Sequence, residues 1–401
     1  MINASDVSAA RRILVFNAGS SSIKCGVYQA TALQPARLAR VHADLRDATL
    51  QLTVEGAADS RVAEYPRPAA AWDAAMAIVL ERAMTLAGGP IAAVGHRVVH
   101  GGGRFERPVF VSPEVLDALA GFESLAPLHQ PQNVAGIRAA AAAFPAAVQV
   151  ACFDTAFHHT CPPVATRLAI PRAWHDRGIR RYGFHGLSYE SVVGRLPEVT
   201  GRMPERAVIA HLGAGASLCG VQHGQSIATT MGFTPLDGLV MATRSGSIDP
   251  GAVLHLVLRE GLSAAAVETL LSHESGLLGV SGISGDMRVL VESDDPRAAE
   301  AVELFCERAA RETASLAVAL GGLDTIVFTA GIGEHSAEIR RRIAAKLAWL
   351  GLELDAAANA AHGPRISGGH SRVAAWVIPT DEEGVIAAHA AAVLGATASR
   401  R

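Results

Sequence analysis

Two arginines and a histidine lie in polar motifs within apolar surroundings, where their side chains could donate to an anion. Arg97 lies in VGHRVVHGG, His185 in RYGFHG and Arg244 in ATRSG. No Ser-His-Asp or Cys-His order accompanies them, which argues against acyl or thiol hydrolysis. Positive donors with one or two acids suit phosphoryl transfer, in which catalysis consists of positioning and charge neutralisation.

Hard oxygen donors occur in the same set of motifs. Asn17 lies in VFNAGSSSIK, Asp154 in ACFDTAFH and Glu382 in PTDEEG. Mg²⁺ prefers such oxygens and keeps several of its waters. The three residues therefore predict a magnesium site that serves a transferred phosphate. A plainer interpretation makes Glu382 and Glu383 ordinary first-turn acids that complement a helix dipole.

Other polar positions have structural explanations. His129, between two prolines in APLHQPQN, could simply hold a loop. The segment after Asp154 has no helical pattern, so we expect it to be extended. His158 and His159 would then point apart, which does not favour a metal pair.

The composition excludes several classes of protein. Half of the 401 residues are apolar, 18% are charged, and the net charge of -3 comes from interspersed signs without a basic face. Neither nucleic acid nor a membrane is therefore an expected partner. No export signal is recognisable at the N-terminus. No C-x-x-C spacing occurs among the five cysteines, which predicts free thiols and a cytoplasmic location. They are Cys25, Cys152, Cys161, Cys219 and Cys306.

Strand-like and helical patterns alternate along the chain, which predicts an α/β fold. One apolar helix face begins at Trp72 and its helix ends at Gly88, and a second helix follows Ser336. The strand-like runs are IAAVGHRVV, AVQVACF, AVIAHL, TIVFTA and VAAWVI.

A strand-turn-strand pattern occurs twice. VFNAGSSSIKCGV (15–27) aligns with IAHLGAGASLCGV (209–221), which places Gly19 on Gly213. A third glycine turn ends TIVFTAGIGE just before a helix. Such turns let the backbone approach a ligand, and helix N-termini favour anions. Two duplicated domains that bind nucleotide phosphates are the functional interpretation, and repeated hairpins of no functional meaning are the plain one.

Ordered motifs across residues 12–394 resemble the acetate kinase family. They are NAGSSSIK, GHRVVHGG, LAPLHQPQN, FDTAFH, RYGFHG, GFTPLDGLVMATRSG, FTAGIGE and PTDEE. The resemblance implies two duplicated RNase H-like domains of the sugar kinase, Hsp70 and actin superfamily, with a nucleotide cleft between them. The expected domains are residues 1–155, completed by a C-terminal helix over 384–401, and residues 156–383.

The resemblance also implies an activity and partners. The family transfers the γ-phosphoryl group of ATP reversibly to acetate, giving acetyl phosphate and ADP, with Mg²⁺ or Mn²⁺ as cofactor. A homodimer formed through the C-terminal domain is expected on the same basis.

Site residues follow from the resemblance position by position. Arg97 and Arg244 would bind the carboxylate and the transferring phosphoryl group, and His185 would contact the phosphoryl group. Asn17 and Glu382 would hold magnesium. Asp154 would be the essential acid beside the metal. The substrate-binding positions are Arg97, Val99, Leu128, His129, Phe184 and Pro235. The nucleotide-binding positions are Lys24, His211, Gly213, Gly215, Asp286, Met287, Arg288, Gly331, Ile332 and Gly333.

The chain departs from the family pattern at a few positions. Ala214 replaces an asparagine in the second turn, which removes a phosphate contact worth about 1 to 3 kcal/mol and predicts a raised nucleotide KM. The other departures are Leu187, Tyr189, Ser247 and His335.

Three alternatives stay open. Propionate and butyrate kinases share these motifs, and one methylene changes affinity by only about 1 to 3 kcal/mol; Val99 at the pocket floor favours acetate. An actin-like nucleotide-binding module would not need Arg97, His185 and Arg244 together. A catalytically weakened relative would combine these residues with lost phosphate contacts, as at Ala214.

Overall fold

The computed structural model describes residues 11–19, 22–30, 35–45, 49–56, 61–66, 71–127 and 129–398. The chain forms two compact units. Unit 1 is Met1–Ala156 with Asp381–Arg401, and unit 2 is Phe157–Thr380.

Both units combine strands and helices. The strands are β1 (Arg12–Ala18), β2 (Ser22–Gln29), β3 (Ala36–Asp44), β4 (Thr49–Gly56), β5 (Arg61–Pro66), β6 (Ile91–Val98), β7 (Val109–Phe110), β8 (Val148–Phe153), β9 (Arg206–Leu212), β10 (Ala216–Gln222), β11 (Gln225–Thr229), β12 (Thr325–Thr329) and β13 (Ala374–Val377). The helices are α1 (Ala71–Ala87), α2 (Pro113–Ala120), α3 (Gln130–Ala143), α4 (Pro163–Thr166), α5 (Arg172–Asp176), α6 (Gly186–Thr200), α7 (Pro250–Leu258), α8 (Ala264–His273), α9 (Gly276–Ser281), α10 (Met287–Val291), α11 (Pro296–Leu320), α12 (Ala330–His335), α13 (Ala337–Lys346), α14 (Ala356–Ala360) and α15 (Glu382–Ala398).

The sheet of unit 1 has the order β5-β4-β3-β2-β1-β6-β8-β7. β1 is antiparallel to β2 and parallel to β6. Leu14, Phe16 and Ala18 of β1 pack in the core with residues of α1. The alternate residues of β1 face the side on which α15 lies, since α15 packs against Gly95, the partner of Val15. Both faces of β1 are thus covered, and its run of apolar residues is buried throughout.

Unit 2 repeats the central part of this topology. Its sheet has the order β11-β10-β9-β12-β13. On one side of β9, β10 pairs with it antiparallel and β11 pairs antiparallel with β10. On the other side, β12 and β13 are parallel to it. The order β3-β2-β1-β6-β8 in unit 1 is the same arrangement. The predicted α/β fold with two duplicated domains is confirmed.

The two hairpins differ in register by one residue. Phe16 pairs with Cys25 in unit 1, whereas Cys219, the aligned cysteine, pairs with Ile209 in unit 2, the counterpart of Val15. The turn of unit 2 is therefore one residue shorter, and a gap-free alignment of the two copies is wrong across the turn.

Most predicted elements are present, and one local prediction is wrong. The helix predicted to carry Trp72 on its apolar face is α1, and the helix predicted to follow Ser336 is α13, which Ser336 caps. The segment after Asp154, expected to be extended, instead forms a 3₁₀ turn over Ala156–Thr160. The turn brings His158 inward, where its ring hydrogen-bonds the Ser226 hydroxyl and the Phe184 carbonyl. Within the described ranges, no helix is long and apolar enough to cross a membrane.

We expect Gly95→Ala to lower the free energy of unfolding by about 1 to 3 kcal/mol, because the added methyl group overpacks a filled interface. A Cβ at this position would lie 2.5 Å from Ile386 Cγ2 and 3.3 Å from the Ile386 carbonyl oxygen of α15. Urea unfolding of the full-length protein measures the change. Gly103→Ala is the matched control, since a Cβ there meets nothing within 4 Å. Equal stability of the two variants would contradict the packing of α15 on β6.

Candidate functional site

The guanidinium of Arg97 is the centre of a polar cluster in unit 1. It donates from Nε to Asp154 Oδ1 at 3.0 Å and from Nη2 to Asp154 Oδ2 at 2.7 Å. Its Nη1 lies 3.4 Å from Asn17 Oδ1 and 3.4 Å from Glu382 Oε2. The fold thus brings together four predicted site residues, which come from β1, β6, the end of β8 and the start of α15.

This cluster carries more negative than positive charge. Asp154 is 2% exposed and Arg97 20% exposed. Burial disfavours the charged form of Arg97, but the attraction of Asp154 and Glu382 outweighs it, and the pKa of Arg97 is raised above its ordinary value. Two carboxylates around one guanidinium leave one negative charge uncompensated within the cluster. The excess charge and the oxygen donors suit a divalent cation that keeps several waters. Within the described ranges, no group of three or more His, Cys, Asp or Glu could hold a metal ion by itself.

Two amide side chains of α3 hold the ends of β1 and β6 in place. Asn133 accepts from the Val99 backbone N–H at 2.9 Å and donates to the Ala18 carbonyl at 2.8 Å. Gln130 bonds both backbone groups of His100. Sequence reasoning did not assign these residues a role, although both lie in the quoted motif LAPLHQPQN. They make the polar groups beside Arg97 part of a buried network.

A second ion pair fixes the start of α15. Glu383 is 5% exposed, and Arg40 of β3 donates from Nε to its Oε1 at 3.0 Å. Glu383 thus lies in the first turn of α15, as the plainer interpretation has it, and is in addition a buried partner of Arg40. The pair holds the helix against the sheet at the residue next to Glu382.

Lys24 lies directly opposite Asn17 in the β1–β2 hairpin. It lines a small cavity of about 120 Å³ together with Arg40 and Glu55. The predicted nucleotide-binding lysine thus shares a sheet face with Asn17.

In unit 2, two histidines and an arginine meet at the second glycine turn. The rings of His185 and His211 stack with centroids 4.1 Å apart. A Cβ added to Gly215 would lie 3.3 Å from His185 Nε2 and 3.7 Å from Arg244 Nη2. A side chain here would contact both groups and fill part of the space beside them. The arrangement gives an anion at this turn access to backbone and side-chain donors.

The loop that carries Arg244 is bonded to the same turn. Ala242 N–H donates to the Ala214 carbonyl at 3.0 Å, and Arg244 Nη1 donates to the Pro235 carbonyl at 2.8 Å. Because the contact at Ala214 uses the backbone, it does not depend on the residue type. The side chain of Ala214 is exposed.

A buried hydrogen-bond chain lies behind His185. Ser217 Oγ is 2.8 Å from His185 Nδ1 and 2.5 Å from the Tyr189 hydroxyl. Both Ser217 and Tyr189 are completely buried. His185 itself adopts a left-handed backbone conformation, with φ of 58°, immediately before α6.

The third turn begins α12 and is close to the second. Ala330 has φ of 64°, and its Cβ is 3.6 Å from the position of a Cβ at Gly213. Glu334 Oε1 accepts from the Ala330 and Thr380 backbone N–H groups at 2.8 and 3.2 Å. The predicted nucleotide-binding residues Gly213 and Gly331 are therefore on neighbouring turns.

The side chain of Arg340 supports the third turn, a role that the sequence did not predict. It is completely buried and donates to the carbonyls of Gly333 and Glu334 at the end of α12, and to Asn359 and His362. Burial lowers its pKa to about 10. The only sequence signal was its position between Ile339 and Ile343, on the buried side of α13.

The remaining predicted nucleotide-binding residues lie around α10. Asp286 caps this helix by accepting from the Arg288 backbone N–H, and its carboxylate also pairs with the Arg288 side chain at 2.6 Å. Arg288 is 87% exposed, whereas Met287 is buried.

The predicted substrate-pocket residues are divided between the units. Val99 and His129 lie in unit 1, and His129 immediately precedes α3. Phe184 and Pro235 lie in unit 2. Phe184 precedes His185 in the chain, and the carbonyl of Pro235 accepts from Arg244. Leu128 lies outside the described residues.

The comparisons with known proteins agree with this arrangement. The profile of the Acetokinase family matches residues 12–388. A Rhodopseudomonas palustris (strain TIE-1) protein named acetate kinase is 52% identical over 94% of this chain and 97% of its own length. Two solved structures are similar: a propionate kinase from Francisella tularensis, with TM-score 0.87, 36% identity and coverage of 94% and 98% of the two chains, and a Porphyromonas gingivalis acetate kinase, with TM-score 0.84, 34% identity and coverage of 96% and 100%.

His158 gives unit 2 a defined sensitivity to acid. Burial lowers its pKa to about 4 from an ordinary 6.5, so it is neutral in the fold, while the unfolded chain binds a proton below pH 6.5. This contribution to stability is present above pH 6.5 and is lost as the pH falls towards 4. Between pH 7 and pH 5 we expect it to remove about 2 kcal/mol of the free energy of unfolding.

Urea unfolding of wild type and His158→Gln at both pH values measures this contribution. Glutamine can still donate to the Phe184 carbonyl but does not titrate, so the variant should lose about 2 kcal/mol less on acidification. An equal loss in both proteins would show that His158 is not held neutral.

Proposed function

Because this chain belongs to the acetokinase family, we propose that it is an acetate kinase, which transfers the γ-phosphoryl group of ATP reversibly to acetate and yields acetyl phosphate and ADP. One observation carries the proposal: the cationic and hydrogen-bonding residues proposed for phosphoryl transfer are clustered, with Arg97 at the centre of the acidic cluster of unit 1 and His185 and Arg244 at the glycine turn of unit 2.

The chemistry requires charge neutralisation rather than a base. Carboxylic acids like acetic acid have a pKa near those of Asp and Glu, about 4, so the acceptor is already ionised at neutral pH. The difficulty is to bring this anion to a polyanion. Fixed cationic and hydrogen-bonding groups reduce that repulsion and stabilise the charge of the transferring group.

Unit 1 supplies the acidic cluster. We propose that Asn17 and Glu382 hold Mg²⁺ or its waters and that Asp154 orients them while it fixes the guanidinium of Arg97. The metal would neutralise phosphate charge. Arg97 would bind the acceptor carboxylate and transferring phosphoryl group, and its bonds to Asp154 limit its rotation before substrate binds.

Unit 2 supplies the nucleotide turns. We propose that the turns at Gly213–Gly215 and Gly331–Gly333, with Lys24, His211 and the residues around Asp286, bind the nucleotide. His185 and Arg244 would donate to the transferring phosphoryl group. Ala214 lacks a polar side chain, so this turn binds phosphate with one donor fewer than the family pattern, and the nucleotide KM should be raised.

The acyl group is the second half of the substrate pair. Val99, Leu128, His129, Phe184 and Pro235 are proposed to form its pocket. A propionate kinase is among the similar structures, and a pocket of this kind separates acids that differ by one methylene by only about 1 to 3 kcal/mol. Val99 leads us to propose acetate as the preferred acceptor.

Acyl-phosphate formation, trapped as hydroxamate, tests the function. With Mg-ATP we expect kcat/KM to be highest for acetate, lower for propionate and lowest for butyrate, by about ten-fold per methylene. Addition of EDTA should abolish turnover. A preference for propionate or butyrate would change the substrate, and ATP binding without any product would make the chain a nucleotide-binding relative.

Variants of the cationic residues test the site. Arg244→Ala and Arg97→Ala should each lower kcat/KM by about 10³-fold or more, since each removes a charge that stabilises the transition state. Arg138→Ala, on an exposed position of α3, is the matched control. Because Arg97→Ala leaves Asp154 buried without its partner, circular dichroism must confirm that this variant is folded. Normal turnover in either folded variant would refute its assignment.

We also propose a homodimer formed through unit 2 and a cytoplasmic location. α7 has no buried residue, and Leu254 and Leu258 on it are 56% and 68% exposed. An apolar helix face of this kind is typical of an interface with another chain. All five cysteines are free thiols, as expected in a reducing compartment.

Light scattering coupled to size exclusion tests the dimer. We expect wild type to be dimeric and Leu254→Glu/Leu258→Glu to be monomeric, because two charges would be buried without partners. Val318→Glu, at an 82% exposed position of α11, should remain a dimer. A monomeric wild type, or a dimer that survives the double substitution, would contradict the proposal.

A further inference from the structure

The basic side chains of this protein are almost all arginines. Of its 35 lysine and arginine residues, only Lys24 and Lys346 are lysines. The two residue types differ in their reaction with activated acyl groups. A lysine amine can attack such a group, whereas a guanidinium stays protonated and offers no nucleophilic electron pair. Acylation of a basic side chain is therefore restricted to two positions.

The proposed reaction yields an activated acyl group of this kind. Under the proposed function, the chain makes and releases acetyl phosphate, a mixed anhydride of a carboxylic and a phosphoric acid. When an amine attacks its carbonyl carbon, a C–N bond forms and the C–O bond to the phosphate breaks. Inorganic phosphate leaves and takes up the proton that the nitrogen releases. The step needs no reactant besides the amine and the product itself.

Lys346, the last residue of α13, is held by two carboxylates of α11. Its Nζ lies 2.6 Å from Glu303 Oε1 and 2.8 Å from Glu307 Oε2. The hydrogen bonds to these two carboxylates raise the pKa of Lys346 above its ordinary value. A protonated amine has no electron pair for the attack, so Lys346 is protected from acylation even though its side chain is 28% exposed.

Lys24 has different surroundings in the sheet of unit 1. It is partly exposed and pairs with Asn17 of β1 and His42 of β3. The cavity of about 120 Å³ that it lines contains both signs of charge, from Arg40 and Glu55. Among the described residues, no carboxylate holds Lys24 in an ion pair. The carboxylate clamp that protects Lys346 is thus not repeated here.

We propose that Lys24 is a modification site at which the product acetylates its own enzyme, and that Glu303 and Glu307 protect Lys346 from the same reaction. The identity of the acylating product rests on the proposed function. Acetylation removes the positive charge of Lys24. Because Lys24 is one of the proposed nucleotide-binding residues, accumulated product would raise the nucleotide KM and slow its own formation at low ATP.

The thiols of this chain compete poorly for the acyl group. Four of the five cysteines are buried, and burial raises the pKa of a thiol and so lowers the fraction of reactive thiolate. Neutral hydroxylamine also removes acyl groups from sulfur and leaves amides intact. Modification of an amine is therefore separable from modification of a thiol.

Peptide mass spectrometry of the full-length protein, incubated with synthetic acetyl phosphate and no nucleotide, tests the site. We expect Lys24 to be acetylated about ten-fold faster than Lys346 or more, since one pKa unit changes the fraction of free amine ten-fold. In urea the two lysines should react at equal rates, because the carboxylate clamp is lost. Equal rates in the folded protein, or a faster reaction at Lys346, would overturn the proposal.

Glu303→Gln/Glu307→Gln tests the protection of Lys346. Both glutamates are about half exposed, so the fold should be retained. We expect the acetylation of Lys346 to become about ten-fold faster while that of Lys24 is unchanged. Glu338→Gln, which removes a carboxylate of the same helix pair that does not bond Lys346, is the matched control and should change neither rate. An unchanged rate at Lys346 in the double variant would refute the protection.

Hydroxamate formation after removal of the acetyl phosphate provides the kinetic arm. Pretreatment should raise the KM for ATP and leave kcat unchanged in wild type and in Lys346→Arg. It should have no effect on Lys24→Arg, whatever the activity of that variant before treatment. An equal response of Lys24→Arg, or a loss of activity that saturating ATP does not relieve, would overturn the proposed effect on nucleotide binding. Selective acetylation of Lys24 in a protein without turnover would instead refute the proposed activity and leave the modification site standing.

Discussion

The ion pair between Arg97 and Asp154 is the interaction on which unit 1 depends. Asp154 is almost fully buried, and such a carboxylate is tolerated only because a guanidinium bonds both of its oxygens. The same guanidinium reaches Asn17 and Glu382, so β1, β6, the end of β8 and the start of α15 meet at one charge. The net charge of this cluster is negative, because it holds two carboxylates and one guanidinium. One cation among two carboxylates attracts a further positive charge, as the proposed metal site requires.

Unit 2 has the same central sheet topology but carries glycine turns in place of the acidic cluster. Its hairpin and the turn before α12 bring glycine backbone together at the proposed phosphate site, and hydrogen bonds to Ser217, Ser188 and the Pro235 carbonyl hold the surrounding side chains. Buried support is needed on both sides of these turns. Arg340 bonds the carbonyls at the end of α12, and Asn359 and His362 satisfy the rest of its guanidinium. A rigid surrounding of this kind keeps donors in place when the bound anion changes its charge distribution.

The sequence by itself determined the fold class, the duplication and the family, because these depend on periodic apolar patterns and on motifs that are contiguous in the chain. Alternating strands and helices gave two sheets with the same strand order, and eight motifs in order were enough to identify the relatives. The sequence did not predict local features of the backbone that depend on a single residue, such as the length of a turn. The 3₁₀ turn after Asp154 and the one-residue difference between the two hairpin turns leave no periodic signal.

Only the tertiary structure decided which polar residues support the site. Glu383 was interpreted as a first-turn acid of a helix, and the structure adds that it is buried against Arg40, which lies more than 300 positions earlier in the chain. Gln130 and Asn133 carry no sequence mark that separates them from exposed residues of amphipathic helices, and the only mark of Arg340 is its position between Ile339 and Ile343. Tyr189, Ser217 and His185 come from α6, β10 and the residue before α6, and burial brings their polar atoms together. Partners that are distant in sequence are set by packing, and a local pattern cannot encode which buried donor meets which acceptor.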